Sequence, residues 1–376
     1  MMNILNGIVL VNGSFLDTDI NVLDGKIAGF GKTYNTGDGY DAKGLFVIPG
    51  FIDTHIHGYK GAEFASADGD FTAVREEFAR AGITGFAATV RALPSEDTVA
   101  AEKNIVRESR KETKGAKVLG IHLEGPFVSK DRSGAMIPPD EECCVETFER
   151  FVKAGEGLLK IMTIAPEREN ASSVIKRASE NGVKISLGHS NADYATTESA
   201  VEAGASRVTH LFNAMRPFSH RETGIMGAAL TDERLDCELI CDLVHNDAPA
   251  LLLAYRMKGA KGLTLISDTG VMGGLGDGEF VVNGKTRYVR DGVCKNAEGR
   301  IAGSTKCVTE GVKNMLKLGV PLADVSLMAS GNPAKALGLG EVTGSIKPGL
   351  AADMIVCDGE LNIKAVFIDG KIVYQE

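Results

Sequence analysis

Eight short apolar runs alternate with helix-length segments through the middle of this 376-residue chain. This alternation is typical of βα units, whose strands pair in parallel within one sheet. The runs are 46–56, 85–90, 118–123, 158–164, 183–187, 207–212, 235–244 and 263–266. Eight such units fit a closed sheet, so the sequence predicts an α/β fold with a TIM-like (β/α)8 barrel.

The two ends of the chain have a different texture. Residues 4–30 and 344–374 consist of short β-type runs, with Asn-Gly and Asp-Gly turns typical of hairpins. We therefore expect a small β-sandwich domain built from both termini, residues 1–48 and 344–376. Residues 49–343 would form the catalytic barrel domain.

Six residues that can bind or serve a divalent cation lie at or just after the ends of the apolar runs. They are His55, His57, Glu124, His189, His210 and Asp268. Chemistry in such barrels occurs at the C-terminal ends of the strands, so the fold would bring all six to one rim. Imidazoles with a carboxylate suit Zn²⁺ or Fe²⁺, which lower the pKa of bound water toward ~7. The pattern predicts metal-assisted hydrolysis, with Asp268 as the general base and general acid.

Each candidate also has a structural interpretation. His55 and His57 face the same way on a strand; such a pair is often polar packing, but its position at the end of a buried run favours metal binding. His122 lies on the same face of its strand as Glu124, and we interpret it as a hydrogen-bonded histidine inside the barrel. Asp268 could cap a following helix, although residues 270–278 have the composition of a loop.

Composition restricts the partners. A net charge of −9 argues against a general nucleic-acid or anionic-membrane surface. The chain lacks a signal-peptide pattern at its start and a run of ~18 apolar residues, so we expect a cytoplasmic protein. The seven cysteines contain no C-x-x-C pair and are expected to be reduced.

Four segments carry a resemblance to a known family. They are PGFIDTHIHG at 49–58, HLEGPF at 122–127, GHS at 188–190 and HLFNAM at 210–215. They resemble the N-acetylglucosamine-6-phosphate deacetylase family of the amidohydrolase superfamily, whose members are metal-dependent barrel hydrolases. Further matches at 299–305, 332–334 and 344–353 extend the resemblance over nearly the whole chain. It implies the barrel and β-sandwich, and removal of the acetyl group from N-acetylglucosamine 6-phosphate.

The resemblance also implies roles for single residues. The ligands of a main metal ion would be Glu124, His189 and His210. Asp268 would be the catalytic acid and base, and the presence of both His55 and His57 allows a second ion, giving one or two per subunit.

A phosphate site is implied by the same resemblance. The sugar phosphate would be held by backbone groups of Asn213 and Ala214, by His245, and by Arg221 reached from a neighbouring subunit. We therefore expect a homodimer. Without the family, Arg221 would be interpreted as an exposed loop charge.

One position departs from the family pattern. Many members place a histidine twelve residues after the metal-binding glutamate, where it can polarise the acetamide carbonyl, but this chain has Met136. A thioether cannot donate a hydrogen bond, and losing such a donor can cost ~3 kcal/mol of transition-state stabilisation. Either a second metal ion polarises the carbonyl, which we favour, or the substrate differs and is, for example, N-acetylgalactosamine 6-phosphate.

Two other classes of function stay open. An amidohydrolase acting on an N-acyl amino acid or a cyclic amide would share the metal residues but would not need Arg221 and His245. Many relatives of that kind bridge two metals with a lysine on the fourth strand, whereas Lys160 lies near the start of that run. A non-catalytic protein of the same fold tends to lose ligands, and this chain retains every candidate.

Overall fold

The computed structural model describes residues 3–31, 39–282 and 284–376, and most of its strands belong to two large sheets. The strands are β1 (Asn3–Val11), β2 (Ser14–Leu23), β3 (Lys26–Phe30), β4 (Gly39–Asp41), β5 (Phe46–Pro49), β6 (Phe51–Ile56), β7 (Gly58–Tyr59), β8 (Ala62–Glu63), β9 (Ile83–Arg91), β10 (Lys117–Glu124), β11 (Leu159–Ile164), β12 (Lys184–Leu187), β13 (Arg207–Val208), β14 (Asp236–Ile240), β15 (Leu263–Ile266), β16 (Gly278–Val282), β17 (Lys285–Arg290), β18 (Val293–Asn296), β19 (Met354–Cys357), β20 (Ile363–Ile368) and β21 (Lys371–Gln375).

Helices follow most strands of the middle region. The α-helices are α1 (Thr72–Arg80), α2 (Ser95–Ser109), α3 (Val145–Ala154), α4 (Ala171–Glu180), α5 (Tyr194–Glu202), α6 (Gly224–Thr231), α7 (Ala248–Lys258), α8 (Val308–Lys317), α9 (Leu322–Ser326) and α10 (Asn332–Ala336). Short 3-10 turns cover Lys130–Arg132 and Ala260–Gly262, and a π-helical turn, Leu327–Gly331, joins α9 to α10. In α4, residues 171, 174, 175 and 178 are buried, the spacing of one helix face packed on the sheet.

The eight-stranded parallel sheet confirms the predicted barrel. Its order is β6, β9, β10, β11, β12, β13, β14 and β15, which is also the chain order. The seam between the last and first strands is joined near their C-terminal ends, where Asp268 N donates to His55 O at 2.9 Å and His57 N donates to Thr269 O at 2.8 Å. Strand ends that are far apart in the sequence therefore meet at one rim.

The second large sheet is built from both termini, as predicted. Strand β5 pairs in parallel with β1 and antiparallel with β19, which joins the N-terminal hairpins to the C-terminal ones. This sheet has its own apolar cluster, which includes Ile4, Val47, Met354 and Phe367.

Three predicted runs differ from the observed strands by a division or by more than two residues at one end, and one of them, 235–244, ends as a strand at Ile240. Residues 46–56 divide at Gly50, where the chain passes from the terminal sheet into the barrel. A Cβ at Gly50 would lie 2.2 Å from Thr84 Oγ1, so the close approach requires glycine. The run 207–212 stops as a strand at Val208, because the following residues turn into the loop that carries His210.

Within the described ranges, no helix is long and apolar enough to cross a membrane.

Candidate metal centre

Glu124, His189 and His210 bring three ligand atoms together at the barrel rim. Glu124 is the last residue of β10; its Oε1 lies 2.9 Å from His189 Nε2 and 3.1 Å from His210 Nε2. The two imidazole Nε2 atoms are 2.9 Å apart. Ligands ~2.0–2.1 Å from a tetrahedral zinc ion lie about 3.3 Å from one another, so this triangle needs only small movements to fit such an ion. We call it the first triangle.

His55, His57 and Asp268 form a second triangle beside the first. The Nε2 atoms of His55 and His57 are 3.3 Å apart, and Asp268 Oδ1 lies 3.6 Å and 3.3 Å from them, respectively. Glu124 joins the two triangles, because its Oε1 is 3.4 Å from His55 Nε2 and its Oε2 is 3.3 Å from His57 Nε2. All six candidates therefore meet, as the strand-end pattern predicted.

The charges of the two carboxylates suit a cation. Burial raises the pKa of Glu124, but the surrounding histidines, His189 first, outweigh it and hold that pKa well below its usual range. Burial also raises the pKa of Asp268, while the hydrogen bond with His57 and the nearby positive charge lower it to a net decrease. Both groups are therefore ionised at neutral pH.

Access to the centre is uneven. The side chain of His55 is fully buried, whereas those of His57 and Asp268 are 16% and 15% exposed. A substrate entering from the rim would therefore meet Asp268 and His57 first.

Three of these residues have left-handed backbones. The φ angles of His189, His210 and Asp268 are 46°, 30° and 50°, a region that costs a non-glycine residue ~1–3 kcal/mol. Such conformations persist only when surrounding contacts determine them, and they concentrate at functional sites. The side chains of His189 and His210 contact Glu124, and that of Asp268 contacts His57.

His122 lies below the two triangles and has the structural role that we favoured. Its Nδ1 is 3.0 Å from Thr54 O and its Nε2 is 2.8 Å from Thr163 Oγ1, so both ring nitrogens are engaged. Burial is the main cause that lowers the pKa of His122, to about 3. His122 is therefore a neutral histidine of the barrel interior.

The proposed phosphate-binding residues follow two neighbouring strands. Asn213 Nδ2 donates to Leu211 O at 3.2 Å and lies 3.5 Å from Asn246 Oδ1, which anchors its loop. Phe212 and Ala214 have φ angles of 79° and 50°. His245 is largely buried, and its Nδ1 lies 2.8 Å from Asp242 Oδ2.

Arg221 and Met136 stand apart from this group. Arg221 lies in an exposed turn between Ser219 and Glu222, where its backbone N donates to Ser219 Oγ at 3.4 Å. Met136 is half-buried in a turn in which its N donates to Ser133 O at 3.0 Å. In the same turn, a Cβ built on Gly134 would be 3.7 Å from His189 Cε1, so this loop borders the first triangle.

Sequence reasoning missed two acidic residues at the centre, Glu238 and Asp242. Glu238 contacts His55, and Asp242 contacts His245. A signal was present, because Asp236 and Glu238 interrupt an apolar run that otherwise predicts a buried strand, and buried charges require partners.

The fold and the ligand clusters are those of the metal-dependent amidohydrolases. Residues 46–373 match the amidohydrolase family, whose members are metal-dependent hydrolases. A curated relative, N-acetylglucosamine-6-phosphate deacetylase of Lysinibacillus sphaericus, is 33% identical over 99% of this chain and 98% of its own. N-acetylgalactosamine-6-phosphate deacetylase of Escherichia coli O157:H7 is also 33% identical, over 95% of this chain and 94% of its own.

A solved structure gives the same result. A variant of the Mycobacterium smegmatis N-acetyl-D-glucosamine-6-phosphate deacetylase, in complex with N-acetyl-D-glucosamine-6-phosphate, superimposes with a TM-score of 0.92 at 32% identity, covering 100% of this chain and 99% of that one. The chain therefore belongs to the N-acetylglucosamine-6-phosphate deacetylase family of amidohydrolases, which confirms the resemblance found in its sequence.

Proposed function

We propose that this chain hydrolyses N-acetylglucosamine 6-phosphate to glucosamine 6-phosphate and acetate. The observation that carries the proposal is the pair of ligand triangles joined by Glu124, with Asp268 at their exposed edge. This arrangement supports hydrolysis at a barrel rim, and the named activity of the relatives supports the acetamide of a phosphorylated amino sugar as the substrate.

We assign the first triangle, Glu124 with His189 and His210, to one divalent cation, Zn²⁺ or Fe²⁺. The second triangle has the same kind of donor set and spacing, and we assign it to a second cation. When bound, such ions supply a Lewis acid and lower the pKa of a water molecule. Both assignments are supported by the donor set, because each triangle combines two imidazole nitrogens with one carboxylate oxygen.

Asp268 is assigned the proton transfers. Its carboxylate accepts a proton from the attacking water, whose oxygen bonds to the acetyl carbon. When the carbon–nitrogen bond breaks, Asp268 returns that proton to the departing nitrogen, which leaves as the amine while the acetyl group leaves as acetate. The partial exposure of Asp268 at the rim supports this assignment.

His245 is assigned to the phosphate. Burial lowers its pKa, but the hydrogen bond with Asp242 and the charge of Asp268 outweigh burial and raise it, which favours a cationic imidazole. The alternating left-handed residues Phe212 and Ala214 support a second contribution, because such backbones turn successive N–H groups toward an anion. Asn213 and Ala214 would supply those groups; the N–H of Asn213 donates to His210 O at 3.0 Å and would have to be shared with the phosphate.

Arg221 is assigned to the phosphate of a neighbouring site. Its exposed position in an isolated chain supports a homodimer in which Arg221 of the partner subunit completes the site. The thioether of Met136, by contrast, cannot donate a hydrogen bond to the acetamide carbonyl. We therefore assign polarisation of that carbonyl to the cation of the second triangle.

N-acetylgalactosamine 6-phosphate is a second candidate substrate. One observation favours it. The relative from Escherichia coli O157:H7 is named for this epimer, and its sequence identity to this chain, 33%, equals that of the relative from Lysinibacillus sphaericus. Hydrolysis of a cyclic amide has less support, because Lys160 is the second residue of β11 and lies far from its C-terminal end.

The test measures acetate release from both epimers, with and without the 6-phosphate, by protein of measured metal content. We expect N-acetylglucosamine 6-phosphate to have the highest kcat/KM and removal of the phosphate to lower it at least tenfold. A higher value for the galactosamine epimer would replace the substrate, and equal values without phosphate would contradict the phosphate site. Acetate release by metal-free protein would contradict the metal assignment.

A further inference from the structure

We infer that Glu238 is a positioning residue that orients His55 toward the cation of the second triangle. This inference rests on the metal site of the proposed function. Glu238 lies within β14, below the rim, and is fully buried. It does not belong to either triangle, and no motif in the sequence singled it out.

The contact between Glu238 and His55 determines where the free nitrogen of His55 points. Glu238 Oε2 lies 2.9 Å from His55 Nδ1. A carboxylate accepts hydrogen bonds, so Nδ1 must carry the proton and donate it. A neutral imidazole has one donor and one acceptor nitrogen, so its lone pair is then on Nε2. That atom is the one that faces His57, Glu124 and Asp268.

His55 is the histidine of the second triangle whose outer nitrogen is fixed in this way. His57 Nδ1 is buried and has no hydrogen-bond partner among the residues described by the structure. In the first triangle, His210 Nδ1 is in the same situation, while His189 Nδ1 donates to Arg132 O at 2.8 Å. A carboxylate behind a ligating histidine raises its basicity and fixes its orientation, and removing such a partner typically weakens metal binding 10–100-fold.

A buried ion-pair network keeps Glu238 charged. Arg207 Nη2 lies 3.3 Å from Glu238 Oε1, and the other guanidinium branch, Nη1, pairs with Asp236. Arg207 is itself buried, so its guanidinium supplies the opposite charge that a buried carboxylate requires. Asp236 is tied in turn to Thr264, whose Oγ1 donates at 3.1 Å. The network therefore fixes the carboxylate from below.

Glu238 is placed to orient a ligand and not to bind an ion itself. Together with His55 and His122 it forms a cluster of potential ligands. However, both nitrogens of His122 are engaged by Thr54 and Thr163, and the separation from His55 Nδ1 is that of a hydrogen bond. Such contacts leave no lone pair of either histidine directed at an ion between them.

The test is a Zn²⁺ titration of metal-free protein against a chelator of known affinity, with Zn²⁺ as the only ligand. The wild type should bind two ions. In Glu238→Gln we expect the weaker site to lose 10–100-fold in affinity, with the stronger site changed less than threefold. Glu102→Gln is the matched control, because Glu102 is equally buried but lies on α2, outside the centre. It should leave both affinities unchanged.

Two further variants separate positioning from general damage. Glu238→Asp keeps the charge beside Arg207 but withdraws the carboxylate from His55, so it should show the same selective loss even if Glu238→Gln does not fold. If Glu238 acts through His55, the double variant His55→Gln/Glu238→Gln should bind zinc no more weakly than His55→Gln alone.

Four outcomes would overturn the inference: a single zinc ion in the wild type, unchanged affinities in both Glu238 variants, equal weakening of both sites, or additive losses in the double variant. None of them decides whether the wild type releases acetate from an amino sugar phosphate. The proposed function is tested separately, by the acetate-release assay.

Discussion

Two glutamates, Glu124 and Glu102, are both buried inside this protein in opposite surroundings. Glu124, at the barrel rim, has imidazole nitrogens of His189, His210, His55 and His57 within 3.4 Å of its oxygens. Glu102 lies on α2, and neither of its carboxylate oxygens has a hydrogen-bond partner within the described ranges. Burial alone raises the pKa of Glu102 well above its usual value, whereas the histidines lower that of Glu124.

The difference shows that burial by itself does not mark a functional carboxylate. An unpaired buried carboxylate avoids its charge by taking up a proton, and it then cannot attract a cation. A carboxylate that stays ionised in the interior needs positive groups or hydrogen-bond donors around it, and imidazoles among them become metal ligands once they lose a proton. The surroundings of Glu124 are therefore evidence for a metal site, and those of Glu102 are not.

Replacing Glu124 should have the largest effect. In Glu124→Gln the carboxylate that joins the two triangles becomes a neutral amide, so we expect loss of bound metal and a fall in turnover of at least ~10³-fold. Metal analysis and acetate release would be measured on the same sample. A metallated variant with more than a tenth of the wild-type turnover would remove Glu124 from the ligand set.

Asp268→Asn should have the next largest effect. The amide cannot carry the proton, so we expect turnover to fall ~10²–10⁴-fold. Metal at the first triangle should remain, since Glu124, His189 and His210 are intact. Rapid-quench acetate release and metal analysis would test this, and a variant that keeps most of its turnover would exclude Asp268 as the proton carrier.

Much of this centre could be predicted because strand ends are visible in a sequence. His55, Glu124, His189 and Asp268 each lie within two residues of the end of an apolar run, and parallel strands end at the same edge of a barrel. The pairing of both termini in one sheet was also predictable, since hairpin turns have a distinct composition.

The remainder depends on tertiary contacts. The contact of Glu238 with His55 joins residues 183 positions apart, and periodicity within β14 says nothing about which strand lies opposite. The split at Gly50 was hidden in a continuous apolar run, because its cause is the side chain of Thr84 on another strand. The left-handed backbones of His189 and His210 were not visible in the sequence either, because only a small fraction of histidines adopt that region.

Asp242→Asn should have a moderate effect on substrate affinity. Asparagine keeps one oxygen for the backbone N–H groups of Val244 and His245, which Asp242 Oδ1 accepts at 2.9 Å, but removes the charge beside the imidazole. The pKa of His245 should fall, so less of it is cationic at pH 7.5. We expect KM for the 6-phosphate substrate to rise about tenfold, the value of one charged hydrogen bond, with kcat within twofold.

The pH dependence sharpens this prediction. KM of the wild type should rise as pH increases through the pKa of His245, and in Asp242→Asn the rise should occur at lower pH. Unphosphorylated N-acetylglucosamine is the control substrate and should show neither effect. An equal increase in KM for both substrates would indicate damage to the loop.

Glu102→Gln should leave turnover within twofold of the wild type and change only stability. The folded state raises the pKa of Glu102 above its unfolded value of ~4.3. Glu102 therefore does not lower the free energy of unfolding of the wild type below that pH. As pH rises from there toward the folded pKa, the unfolded state releases the proton more readily and the wild type loses stability. The variant should therefore match the wild type near pH 4 and gain up to ~1.4 kcal/mol in relative free energy of unfolding for each pH unit across that window. Urea denaturation at several pH values would measure this gain, with Glu96→Gln, an exposed glutamate of the same helix, as the control without it. A constant difference between Glu102→Gln and wild type across pH would mean that Glu102 is ionised in the folded protein, and the contrast with Glu124 would then fail.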